Sequence, residues 1–149
     1  MTKEELIKAI LDIPSESRTL EFKRLGSRNE SIDRTLQSIV AMANTDGGTL
    51  ILGVEDPQKT TLRGLDRIFG IEENINFYDE LGKAVRKISP PISSVWPPDL
   101  IEIPKKNIRI GLLAVPKVSD GFRSIEGHVY VRLEKGNKRL LPQEVVHFA

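Results

Sequence analysis

A chain of 149 residues, 39% hydrophobic and 29% charged, has the makeup of an ordinary soluble globular protein and can bury a sizeable core as a single domain spanning residues 1–149. It holds no cysteine, which excludes disulfides and thiolate metal sites, and no apolar run of about 18 residues, which excludes a membrane-spanning helix. A net charge of +1 excludes a uniformly basic chain, yet residues 1–100 carry 13 Lys/Arg against 16 Asp/Glu while residues 101–149 carry 9 against 5. That split fits either an acidic centre beside a phosphate-binding surface or an uneven solvated surface.

Thr2 and Glu5 form a capping-box pair ahead of Leu6, Ile7, Ala9, Ile10 and Leu11, which predicts a short packing helix ended by Pro14. The acids of this N-terminus stand where a signal peptide would be basic, so a cytoplasmic protein is expected. Leu20-Glu21-Phe22 alternates and reads as a half-buried strand. Ser31 or Asn29 can cap the next helix, whose Ile32, Leu36, Ile39, Val40 and Ala43 share one stripe. Asn44 to Gly48 stops that helix, and Thr49 to Val54 reads as a buried strand.

Carboxylates fall at the ends of these two strands. Glu16 and Glu21 flank the first; Glu55 and Asp56 end the second. If the strands are neighbours, three acids meet at one rim, an oxygen set suited to Mg²⁺ or Mn²⁺. Lys23, Arg24 and Arg28 follow. A lysine there can hold a substrate phosphate or stabilise transition-state charge, or it can pair with a nearby glutamate.

Asp56 to Lys59 is a turn. Leu62 to Leu65 reads as a short strand or loop, and Gly70 to Asn76 as a polar linker. Phe77, Leu81, Ala84, Val85 and Ile88 place a second main helix near 75–88, ended by Pro90-Pro91. Leu100 to Ile103 and Ile108 to Val115 read as a hairpin, its lysine-bearing tip solvated, and Trp96 reads as core. A later strand puts Val129, Val131 and Leu133 on one face and His128, Tyr130 and Arg132 on the other. The second face is a candidate recognition surface, Tyr130 for stacking and Arg132 for phosphate, extended by Lys135, Lys138 and Arg139. Pro142 opens a closing helix over 143–148. Gly47-Gly48 lacks the lysine and spacing of a P-loop, so no nucleotide cofactor is expected; His128 and His147 fit no metal-ligand spacing, and no nucleophile elbow occurs.

Three stretches together resemble the Schlafen AlbA-type domain, a family often described as DNA-binding. They are Glu16-Ser-x-x-Leu-Glu21-Phe-Lys23, then Ala43-Asn44-Thr45-x-Gly47-Gly48-x-Leu-x-Leu-Gly53-Val54-x-Asp56, and Gly127-His-Val-Tyr130-Val-Arg132. Animal Schlafen proteins of this kind cleave transfer and ribosomal RNA with an acidic triad on a divalent metal. The resemblance implies Glu16, Glu21 and either Glu55 or Asp56 as that triad; adjacent strand residues point to opposite faces, so one of the two joins the glutamates, with Asp56 preferred. It departs from the animal enzymes in lacking their Cys/His zinc site and in having one lobe where they have two, so a homodimer is expected.

The reading is therefore a single α/β domain, a mixed sheet against two main helices with a short helix at each end. Its expected function is nucleic-acid binding, with metal-dependent endoribonuclease activity on structured RNA such as tRNA. A non-catalytic DNA-binding regulatory module is the alternative, and a protein-interaction domain a third reading.

Overall fold

The computed structural model describes residues 1–148. Three helices and a four-stranded sheet make up its body: α1 (Lys3–Leu11), β1 (Leu20–Lys23), α2 (Ile32–Asn44), β2 (Gly48–Leu52), α3 (Ile75–Ala84), β3 (Asp99–Ile103) and β4 (Ile108–Val115). A small hairpin, β5 (Tyr130–Arg132) and β6 (Asn137–Arg139), and α4 (Pro142–Phe148) follow. The sheet order is β1-β2-β4-β3, with β1 parallel to β2 and the other pairs antiparallel. This is the expected mixed α/β architecture.

Strand alternation divides the core between the two faces of the sheet. Leu50 and Leu52 of β2 and Leu113 and Val115 of β4 join Leu36, Ile39, Val40 and Ala43 of α2, and Leu81 and Ala84 of α3, in one apolar cluster. Ile51 and Ile110 point the other way and meet Ile7 and Ile10 of α1 and Phe22 of β1. The sheet thus lies between α1 and the α2–α3 pair.

Local chemistry sets the element ends. Thr2 and Glu5 form the capping box of α1, and Ser31 accepts from Arg34 N–H at the start of α2. Gly47 ends α2 with φ +75° and donates to Met42 O at 2.7 Å. A Cβ there would lie 2.8 Å from Val115 O, so the turn demands glycine on both counts.

The structure departs from the sequence expectation in three places. At 62–65 the loop alternative holds only for Leu62 and Arg63; Gly64–Arg67 closes into a 3₁₀ turn. The expected linker over 70–76 is another, Ile71–Asn74, with Ile71 fully buried and Asn74 capping α3 through Phe77 N–H. The last strand is shorter and its faces are exchanged: Arg132 is buried, whereas Leu133 is 46% exposed. Trp96 packs beside Tyr78, ring centroids 5.1 Å apart, against the α2-side cluster.

Candidate functional site

β1 is an edge strand whose two faces differ. Phe22 points to the α1 side, while Glu21 and Lys23 point toward α2 and are each 6% exposed. Charges buried this far need partners, since isolated burial would neutralise them. The chain supplies those partners from distant segments. Arg132 Nη1 donates to Glu21 Oε1 at 2.6 Å, and Ser38 Oγ donates to the same oxygen at 3.1 Å. Arg132 Nη1 also reaches Asn137 Oδ1 at 3.0 Å, and Asn137 Nδ2 returns to Ser38 Oγ at 3.0 Å. Lys23 Nζ lies 3.0 Å from Glu21 Oε2 and 3.0 Å from Glu30 Oε2, an ion pair with each.

Two anions and two cations therefore cancel inside the fold. Burial pushes the Glu21 carboxyl up, but Lys23 and Arg132 outweigh it and hold the group below its ordinary value. Burial likewise opposes the Lys23 ammonium, and Glu21 and Glu30 together raise it above the usual lysine value. Glu16 behaves differently. Its Oε2 accepts Phe22 N–H at 2.9 Å, yet burial first, then the Glu21 and Asp56 charges, raise its carboxyl above the ordinary glutamate value.

The structure brings Glu16, Glu21 and Asp56 into one electrostatic neighbourhood, and places Glu55 elsewhere. Asp56 is buried, accepts Gln58 N–H at 2.9 Å and bears on the Glu16 charge. Glu55 turns toward Arg24, 3.5 Å away. Arg67, also buried, fixes this junction: its Nε donates to Glu55 O at 3.1 Å and its Nη1 to Leu11 O at 3.1 Å.

The acids do not fit a metal site as they stand. Both oxygens of Glu21 already face cations, and no group of three or more His, Cys, Asp or Glu among the described residues is arranged to hold a metal ion.

The basic residues also sort differently from the sequence expectation. Arg132, expected to offer its side chain to phosphate, has that side chain 0% exposed, because Glu21 needs a buried counter-ion. For Lys23 the ion-pair alternative holds: it is committed to two glutamates. Arg24 clamps Glu73, at 2.8 Å from Nη2, and lies 3.5 Å above the Phe69 ring centre. Arg28, Lys135 and Arg139 are exposed, and Lys138 is paired with Glu144 at 3.1 Å.

A cleft of about 310 Å³ opens over the neutral cluster, between β1, α2 and the β5–β6 hairpin. Glu16, Glu21 and Lys23 from the motif line it, with Tyr130; Arg34, Gln37, Ser38, Lys59 and Asn137 line it too and were missed in the sequence reading. A signal existed for three of these: Arg34, Gln37 and Ser38 fall at i, i+3 and i+4, a second stripe beside the apolar one. Lys59 is brought in by the turn after Asp56, where its charge reaches Glu16.

Two other motif residues hold the hairpin against α2. Asn44 Nδ2 donates to Arg123 O and Tyr130 O, each at 2.9 Å, and its Oδ1 accepts Arg123 N–H at 2.7 Å. Thr45 Oγ1 accepts Arg132 N–H at 2.8 Å. The Asn-Thr pair and the Tyr-x-Arg strand, remote in sequence, form one joint.

The family model for Schlafen, AlbA_2 matches residues 16–141, which contain every part of this joint and cleft. The chain belongs to the Schlafen AlbA_2 family. Similar solved structures agree on the fold. One is the DIP2311 protein of Corynebacterium diphtheriae, 17% identical with a TM-score of 0.53; the match covers 98% of this chain and 31% of that one, so this chain spans about a third of its length. The other is the N-terminal domain of a Nitrosomonas europaea protein named as related to the ATP-dependent DNA helicase RecG, 17% identical with a TM-score of 0.51, covering 95% of this chain and 94% of that one. No curated protein matches the chain. Among the described residues of this Schlafen AlbA_2 domain, no helix is long and apolar enough to cross a membrane.

Proposed function

We propose that this Schlafen AlbA_2 domain binds nucleic acid through the cleft between β1, α2 and the β5–β6 hairpin. The observation that carries the reading is the division of charge. The buried floor is self-neutralised by Lys23 and Arg132, whereas Arg34, Lys59, Lys135 and Arg139 stand exposed on the cleft rim and the adjoining hairpin. Exposed cations of this kind neutralise backbone phosphates, and the buried pairs hold the hairpin that presents Lys135 and Arg139. Family membership and the name of the Nitrosomonas relative support the same reading.

Fluorescence anisotropy with labelled RNA and DNA across a salt series tests it. Binding that weakens linearly in log–log form, by roughly 0.7–0.9 per phosphate contacted, is expected. No binding to either polymer at low salt would contradict it.

A second reading is a divalent-metal-dependent endoribonuclease acting on structured RNA such as tRNA. It draws on Glu16, Glu21 and Asp56 sharing one electrostatic neighbourhood. Incubation of tRNA with protein in Mg²⁺, Mn²⁺ or EDTA separates the two. Discrete fragments that require metal and vanish in Glu21→Gln establish cleavage; retention without cutting leaves a binding module.

A further inference from the structure

We infer that the cleft takes one unpaired nucleotide of a single-stranded segment, its base inserted beside Tyr130 and its flanking phosphates at Arg34 and Lys59. The inference rests on the nucleic-acid reading above and names the class of substrate. Three observations carry it.

The first is polarity. The floor holds charges that cancel, Glu30 and Glu21 against Lys23 and Arg132, and its one further acid, Glu16, accepts Phe22 N–H at 2.9 Å. A phosphate would find no free cation there, because Lys23 is held at 3.0 Å by each of two carboxylates. A neutral base fits such a floor, and the charge it trails belongs at the rim, where Arg34 and Lys59 are exposed.

The second is shape. A concavity of about 310 Å³ admits a group standing out from a strand, whereas a regular duplex offers a convex phosphate surface. The third is the lining. Tyr130 is half-buried and borders both this cleft and a smaller adjoining cavity of about 50 Å³, with Gln37 lining both as well. Packed on one side against the α2-side core and only half-buried, Tyr130 is the aromatic residue that both cavities share, and an aromatic side chain there can stack on a base. Gln37 and Asn137 supply amide groups for the polar edge of that base.

The test compares a labelled mixed-sequence single strand, the same sequence as a blunt duplex, and a free nucleoside monophosphate as competitor. Wild type is expected to bind the single strand at least tenfold more tightly than the duplex. Tyr130→Leu, which keeps apolar bulk on the core, is expected to weaken single-strand binding roughly fivefold to a hundredfold while leaving duplex binding unchanged. Tyr130→Phe is expected to bind as wild type. Gln37→Ala, on the solvent side of α2, is expected to weaken single-strand binding severalfold and serves if Tyr130→Leu does not fold. Equal binding of strand and duplex, or unchanged binding in both Tyr130→Leu and Gln37→Ala, would overturn the inference and leave the nucleic-acid reading intact. A monophosphate that competes as well as the strand would overturn the segment in favour of a free nucleotide. Absence of binding to every probe would defeat the nucleic-acid reading itself.

Discussion

Arg132 and Glu21 lie 111 residues apart in sequence and meet at 2.6 Å inside the fold. Neither side chain is more than 8% exposed, so the pair is a buried junction between β1 and the β5–β6 hairpin. Removing one partner of such a pair leaves the other charge buried and uncompensated. Arg132→Met is expected to lose about 3–5 kcal/mol in chemical denaturation. Glu21→Gln with Arg132→Met is expected to recover part of that loss, since the double variant strands no charge on this pair. Additive losses would show that the pair is not coupled.

The pH dependence of stability has two components of opposite sign. The Glu21 carboxyl is held below the ordinary glutamate value of 4.5, so its contribution is present above pH 4.5 and is lost as pH falls through its lower folded value. Glu16 is raised above 4.5, so its contribution is fullest below pH 4.5 and is lost as pH rises through its folded value. Glu16→Gln keeps an acceptor for Phe22 N–H and removes the charge. Its stability relative to wild type is expected to grow as pH rises from 4.5 and then level off. A gain confined to lower pH would reverse the assignment.

Asn44 binds three backbone groups of the hairpin side: Arg123 O, Tyr130 O and Arg123 N–H. Asn44→Ala is expected to destabilise by about 1–3 kcal/mol for each partly buried group left without a partner. Hydrogen exchange should rise first over residues 123–132. Uniform exchange across the domain would mean that the hairpin does not open separately.

Much of this architecture was legible in the sequence because it depends on local signals. The α2 stripe from Leu36 to Ala43, the Gly47 turn and the capping box of α1 each announce themselves within a few residues. β1 was readable as a strand but not as a buried one. Its alternation places Glu21 and Lys23 where solvent is the ordinary neighbour, and only residues 38, 132 and 137 reveal that they are enclosed. The same nonlocality exchanged the faces of β5: a lone arginine reads as outward until its buried partner is known. Ile71 was lost in a polar surrounding, since one apolar residue anchoring a 3₁₀ turn leaves no periodicity. Of the cations that neutralise Glu21, Lys23 lies two residues away in the same stretch, whereas Arg132 arrives from the far end of the chain.

Lys23 and Arg132 occupy the side of Glu21 that a divalent ion would need. Calorimetric titration with Mn²⁺ is accordingly expected to show no stoichiometric site in the wild-type protein. A saturable one-to-one site abolished by Glu21→Gln would show that the internal cations yield to the metal and would restore the acidic triad as a metal centre.

The most direct measurement is binding of a labelled single strand in EDTA, over a salt series, by wild type and by Lys59→Ala. Binding is expected to need no metal, to weaken with salt, and to be reduced with a shallower salt slope in the variant. Binding seen only with Mg²⁺ or Mn²⁺, or none at low salt in either condition, would contradict it.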